Sequence, residues 1–120
     1  MAEIPIGPSV VHFNIRGLIA NFFNLQIYLS VHGPDVVCLQ ETMLGPNSTL
    51  NHKQPIEFRN YKLYRNDCQA GKWGVAILIK EDIPHSLMDI RSTLQQITIK
   101  MHYMGREMSV TSLYLPPSVG

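Results

Sequence analysis

Four apolar residues in succession, Val36, Val37, Cys38 and Leu39, follow Gly33, Pro34 and Asp35 and lead straight into Gln40 and Glu41. A run that short and unbroken, with a helix stop just before it, reads as a strand buried on both faces. Upstream, Asn21 offers an N-cap, and Phe22, Leu25 and Leu29 recur at helical spacing until Gly33 and Pro34 end the helix. Val10 to Phe13 forms a further short strand, followed by a turn over Asn14, Ile15, Arg16 and Gly17. The order strand, helix, strand predicts two parallel neighbours joined by a crossover, which commits the chain early to an α/β fold.

Beyond Glu41 a polar stretch containing Pro46, Asn47, Ser48 and Pro55 has neither helical nor strand periodicity and predicts a long loop of the kind that often carries function. Tyr61 to Tyr64 is a weak strand and Val75 to Ile79 a strong one, with a loop from Arg65 to Gly74 between them. From Gln95, Ile97, Ile99 and Met101 alternate with Gln96, Thr98 and Lys100, the pattern of a half-buried strand. Gly105 marks a turn into Met108–Leu115, closed by Pro116 and Pro117, so the second half reads as an antiparallel hairpin in a mixed α/β (α+β) architecture. Residues 1–9 are an amino-terminal extension and residues 10–120 a single domain, without repeat or linker.

Composition narrows the function classes. With 45% hydrophobic and 16% charged residues the 120-residue chain has the make-up of one globular domain with a core. A formal charge of +1 means that any polyanion would have to meet a local basic patch. The start, MAEIPIGPSV, lacks a secretory pattern, and no apolar run approaches the roughly 18 residues that span a bilayer, so the expectation is an intracellular protein of nucleus or cytoplasm, off the membrane. Cys38 and Cys68 form no metal-ligand pair and are expected to be free thiols, Cys38 in the core.

If the first two strands are parallel neighbours, Asn14 and Glu41 lie at the same carboxyl edge of the sheet, where ligand sites of such sheets favour. A carboxylate beside a side-chain amide supplies hard oxygen donors suited to Mg²⁺ held together with water and phosphate. Each residue alone is more often ordinary loop chemistry, Glu41 solvated and Asn14 serving its turn.

Several ordered segments, VVHFNIRGL, PDVVCLQET, YKLYR, GVAILIKEDIPH and SLYLPP, together resemble the endonuclease/exonuclease/phosphatase superfamily. More narrowly they resemble the apurinic-type endonuclease domain of jockey-like non-LTR retrotransposon polyproteins, over residues 10–117. The resemblance implies part of a four-layered α/β sandwich and hydrolysis of a DNA phosphodiester with Mg²⁺ or Mn²⁺, in a polyprotein that also carries a reverse transcriptase. It places the family's strand-end Asn on Asn14, its metal-binding Glu on Glu41 and its phosphate-contacting Tyr on Tyr114. A phosphoinositide or sphingomyelin phosphoester is the alternative substrate within the superfamily.

The family's G-D-x-N motif and its Asp-His pair do not occur in these 120 residues, and His12, His32, His52, His85 and His102 offer no replacement pair. General base catalysis alone contributes on the order of 10²–10⁴, so this chain by itself is expected to be inactive. The resemblance implies a DNA nuclease fragment or, in the alternative, a non-catalytic remnant that binds nucleic acid or a partner. The two packed sheets of the family are expected to shrink to about one, with an exposed face. Trp73 falls in GKWGVAI where the family has glycine, which is costly if that position needs positive φ, and otherwise caps an exposed apolar face. Arg59, Lys62, Arg65 and Lys72 crowd one segment and Arg16 sits in the first turn. Arg16, Arg65 and Lys72 are the candidate DNA contacts, the bland reading of the cluster being a solvated face.

Overall fold

The protein was studied as a computed structural model, of which residues 7–68, 72–89 and 95–115 are described. The predicted opening holds. Strand β1 (Val10–Asn14) pairs in parallel with β2 (Val36–Gln40), and helix α1 (Phe22–His32) connects them. The helix ends as the sequence predicts, with Gly33 at φ +53 and its N–H donating to the Leu29 carbonyl at 2.9 Å, a left-handed C-cap that glycine adopts at little cost. Its start differs. Asn21 makes no side-chain cap and instead turns its amide back onto the preceding loop, donating to the carbonyls of Ile15 and Gly17 at 2.9 and 3.0 Å.

The strands β3 (Tyr61–Asn66) and β4 (Val75–Lys80) complete a mixed sheet in the order β1-β2-β4-β3. β4 lies antiparallel to both of its neighbours, so the carboxyl ends of β1, β2 and β3 share one edge with the start of β4. A second sheet, β5-β6-β7, is built from β5 (His85–Leu87), which the sequence pattern did not reveal, and the hairpin of β6 (Gln95–Tyr103) and β7 (Arg106–Tyr114). β7 begins two residues before Met108, and the Pro116–Pro117 stop lies outside the described residues.

Two cores explain the layering. Val37, Leu39, Ala76 and Leu78 point to one side of the first sheet, onto Leu25 and Leu29 of α1. The long loop after β2 packs there as well, through Leu44, Ile56 and Phe58, the last with its ring 4.7 Å from that of Phe22. On the other side Val36, Cys38, Val75, Ile77 and Ile79 meet Ile97, Ile99 and Met101 of the second sheet. Each fully buried Val, Leu or Ile among them is worth about 1.5–3 kcal/mol relative to exposure.

The expectation of a single sheet with one face open is therefore corrected. The alternation of Ile97, Ile99 and Met101 supplies a complete apolar face for the hairpin, and that face covers the first sheet. Thr98, on the opposite face of β6, is buried too and shares a 2.7 Å hydrogen bond with Thr111 of β7. No helix among the described residues is long and apolar enough to cross a membrane.

Candidate active site

The edge where β1, β2 and β3 end and β4 begins is closely held by backbone hydrogen bonds. Asn14 stands opposite Gln40 in the parallel register, so Asn14 and Glu41 lie one register step apart, as their sequence positions predict. The ladder continues past the strands: Ile15 N–H donates to the Gln40 carbonyl, Gly17 N–H to Glu41 and Leu18 N–H to Thr42, each at 2.9 Å. On the far side of β2, Thr42 N–H donates to the Gly74 carbonyl at 3.3 Å and Met43 N–H to Trp73 at 2.8 Å. Glu41 is thus bracketed on both flanks.

That bracket holds an unusual conformation. Arg16, Glu41 and Met43 all have left-handed φ, at +50, +54 and +57. A non-glycine residue there costs roughly 1–2 kcal/mol, and three in one small region persist because the ladder over-determines them. Strain gathered at a sheet edge, around a half-buried carboxylate, is a recognised property of functional sites.

Tyr114 reaches the same edge from the second sheet. Ser112, whose side chain is buried, donates its hydroxyl to the Leu39 carbonyl at 3.0 Å, and the Gln40 amide Nε2 donates to the Leu113 carbonyl at 2.5 Å. Gln40 Oε1 in turn meets His12 Nε2 at 2.5 Å. Asn66, at the tip of β3, donates to the Gln96 carbonyl at 2.8 Å and ties the sheets a third time along this edge. Tyr114 is half-buried, with its ring 6.4 Å from that of Trp73.

Trp73 itself is unstrained. Among the described residues of this segment the left-handed one is Gly74, at φ +94, and a Cβ there would strike Thr42 Oγ1. The cost foreseen for Trp73 therefore does not arise, because the demand for glycine falls one residue later. Trp73 contributes its carbonyl to Met43 and its half-buried ring to the neighbourhood of Tyr114.

The basic residues divide. Arg16 and Lys72 are exposed beside the edge, Arg16 in the loop that brackets Glu41 and Lys72 next to Trp73. Arg65 is engaged within the chain: Nε and Nη2 grip Asp67, the shortest contact being 2.6 Å, and Nη2 also donates to the Gly45 carbonyl at 3.0 Å. Arg59 and Lys62 line a groove of about 950 Å³ along β3, and none of Asn14, Glu41 or Tyr114 borders it.

Among the described residues no three His, Cys, Asp or Glu side chains gather as a metal cluster. Among the described residues, Glu41 brings a carboxylate and Asn14 an amide to this edge. That set suits Mg²⁺, which is commonly held by one or two carboxylates and keeps several waters. Gln40, His12, Ser112 and Gly74 were not singled out in the sequence. Parity carries a signal for Gln40, since positions 36, 38 and 40 share the face that meets the second sheet.

The fold has solved counterparts. It is similar to the endonuclease domain of TRAS1, a telomere-specific non-LTR retrotransposon, with a TM-score of 0.64 and 17% identity over 91% of this chain and 45% of that one. The catalytic domain of Xenopus laevis APE2 gives 0.63 and 20%, over 92% of this chain and 46% of its own. The AP endonuclease LMAP of Leishmania major gives 0.62 and 16%, over 88% and 38%. The chain thus spans less than half the length of these structures. No curated protein matches it. The profile of the Endonuclease/Exonuclease/phosphatase family matches residues 11–101, well over half of the sequence. This chain belongs to the endonuclease/exonuclease/phosphatase family.

Proposed function

We propose that this chain is the amino-terminal part of a divalent-metal-dependent DNA endonuclease from a retrotransposon polyprotein that also encodes a reverse transcriptase, and that it does not cleave DNA by itself. The observation that carries this reading is where three residues fall: Asn14 ends β1, Glu41 lies just past β2, and Tyr114 ends β7 next to Leu113, whose carbonyl accepts from Gln40. Likeness to a retrotransposon endonuclease and to AP endonucleases supports the choice of DNA over a lipid phosphoester.

Glu41 would hold Mg²⁺ or Mn²⁺, with the Asn14 amide oriented toward the same ion or its phosphate. The cation, when bound, supplies Lewis acidity toward a phosphoryl oxygen. The Tyr114 phenol donates a hydrogen bond to a non-bridging phosphate oxygen, fixing the diester against the edge. Arg16 and Lys72 flank it as sequence-independent phosphate contacts. Arg65 braces the loop through Asp67 and Gly45, so it positions this edge more than it meets DNA. The expectation that it does not cleave by itself rests on its histidines, none of which adjoins an aspartate as in the family's Asp-His pair.

The test is incubation with supercoiled plasmid and Mg²⁺, alongside salt-dependent binding to duplex DNA. The expected result is weak binding that needs Mg²⁺ and is lost in Glu41→Ala, with no nicking. Binding indifferent to Glu41 would overturn the site. Nicking abolished by Glu41→Ala would overturn the claim of inactivity and leave the endonuclease reading strengthened.

A further inference from the structure

The geometry points to Gln40, oriented by His12, as a positioning residue that sets the separation between the Glu41 carboxylate and the Tyr114 phenol. The inference rests on the reading of Glu41 and Tyr114 as one site. Its physical basis is the chemistry of one amide. The Leu113 carbonyl can only accept, so the end of Gln40 that meets it at 2.5 Å must be Nε2. That leaves Oε1 facing His12, and an amide oxygen can only accept, so His12 Nε2 carries the proton in their 2.5 Å contact. The direction of both bonds is fixed.

The consequence is a clamp with two jaws. Gln40 immediately precedes Glu41 on one sheet, and Leu113 immediately precedes Tyr114 on the other. The Ser112 to Leu39 bond holds the sheets together one residue pair further back from the tips. Gln40 therefore joins the residue pair immediately before the two candidate site residues. His12 keeps its amide from rotating, since a flipped amide would set oxygen against oxygen at Leu113. Both residues lie on the β1–β2 parallel pair, where Gln40 pairs with Asn14 and His12 with Cys38.

The experiment uses Mn²⁺ as a paramagnetic probe and reads the Tyr114 ring by NMR. In the wild-type chain Mn²⁺ should broaden the Tyr114 ring signals in a manner abolished by Glu41→Ala. Gln40→Leu, similar in size but without hydrogen bonds, should remain folded and weaken the Mn²⁺-dependent broadening of Tyr114 by about tenfold, the lower end of what supporting contacts contribute to a metal site. His12→Ala should weaken it in the same direction, and His12→Gln, which restores an N–H donor, should recover it. Recovery by a donor is the part that loss of packing would not mimic.

The two readings fail separately. If Mn²⁺ leaves the wild-type chain untouched, or acts independently of Glu41, the metal role of Glu41 falls. The clamp is then read without metal, from cross-relaxation between the Tyr114 and Trp73 rings, which lie 6.4 Å apart. That signal should fall in His12→Ala and return in His12→Gln. A Tyr114 ring equally placed in His12→Ala, His12→Gln and folded Gln40→Leu overturns the inference. Should Gln40→Leu fail to fold, the exposed His12 pair decides alone.

Discussion

Gly74 is pressed against the hydroxyl of Thr42, so closely that a Cβ at position 74 would lie 2.5 Å from Thr42 Oγ1. Its φ of +94 adds a second objection to any side chain. Gly74→Ala is expected to cost about 1–3 kcal/mol, from strain and steric conflict together. Thr42→Ala made in the same chain should return part of that loss, because it removes the hydroxyl while leaving the backbone conformation. Urea unfolding followed by Trp73 fluorescence measures both. Equal costs in the single and double variants would place the whole penalty in φ.

Asn21 separates two roles that the sequence cannot. As an N-cap, Asn and Asp are nearly equivalent. As the donor that holds Ile15 and Gly17, only Asn will serve, since a carboxylate facing two carbonyls has nothing to donate. Asn21→Asp is therefore expected to destabilise at least as much as Asn21→Ala, by about 1 kcal/mol or more in thermal or denaturant unfolding. An Asp variant as stable as wild type would restore the capping role.

The packing of the second sheet on the first makes Ile99 and Ile77 equal partners in one core, both fully buried. Truncating either to alanine should cost about 2–5 kcal/mol, the range for a large apolar side chain in a closed interior. A hairpin that merely lay exposed beside one sheet would make Ile99→Ala far milder than Ile77→Ala. Denaturant midpoints at constant slope decide.

How much of this was legible follows from how local each cause is. The α1 stop, the parallel β1–β2 pair and the edge position of Glu41 rest on neighbouring residues, and all of them read directly from the sequence. β5 is three residues of HSL with no period to reveal it, and its existence depends on β6 lying alongside. The glycine requirement was assigned one position early because only the contact with Thr42, more than thirty residues away, shows which residue needs it. The Gln40–Leu113 bond joins residues 73 apart, and no spacing rule reaches that far. Nor could composition tell that Arg65 is spent on Asp67.

Arg65 yields a prediction of its own. If its guanidinium braces the loop, Arg65→Ala should lower stability by about 0.5–1 kcal/mol, discounted for partial exposure, and leave the salt dependence of DNA binding unchanged. If it contacts phosphate, the same change should flatten the slope of binding against salt by about one unit with little effect on stability. Lys72→Ala, beside the same edge, is expected to show the second pattern.

Cys38 gives the fold a signature at high pH. The thiol lies between the two sheets, and burial pushes its pKa from the ordinary 9.0 up to about 11. Below pH 9 the thiol is protonated in both folded and unfolded chains and contributes no pH dependence. Between 9.0 and about 11 the unfolded chain ionises while the folded chain does not, so the unfolded state binds fewer protons and stability falls as pH rises. The loss is on the order of 2 kcal/mol by pH 11 and then levels off. Tyr61 adds to the decline above pH 10, since burial first and then the nearby Asp35 raise its phenol, whose hydroxyl donates to the Pro34 carbonyl at 2.6 Å. Unfolding curves across pH 8–11 should therefore lose their lower slope in Cys38→Ala and their upper slope in Tyr61→Phe. A wild-type curve that stays flat from pH 9 to 11 would mean that the thiol reaches water and that the two sheets do not close over it.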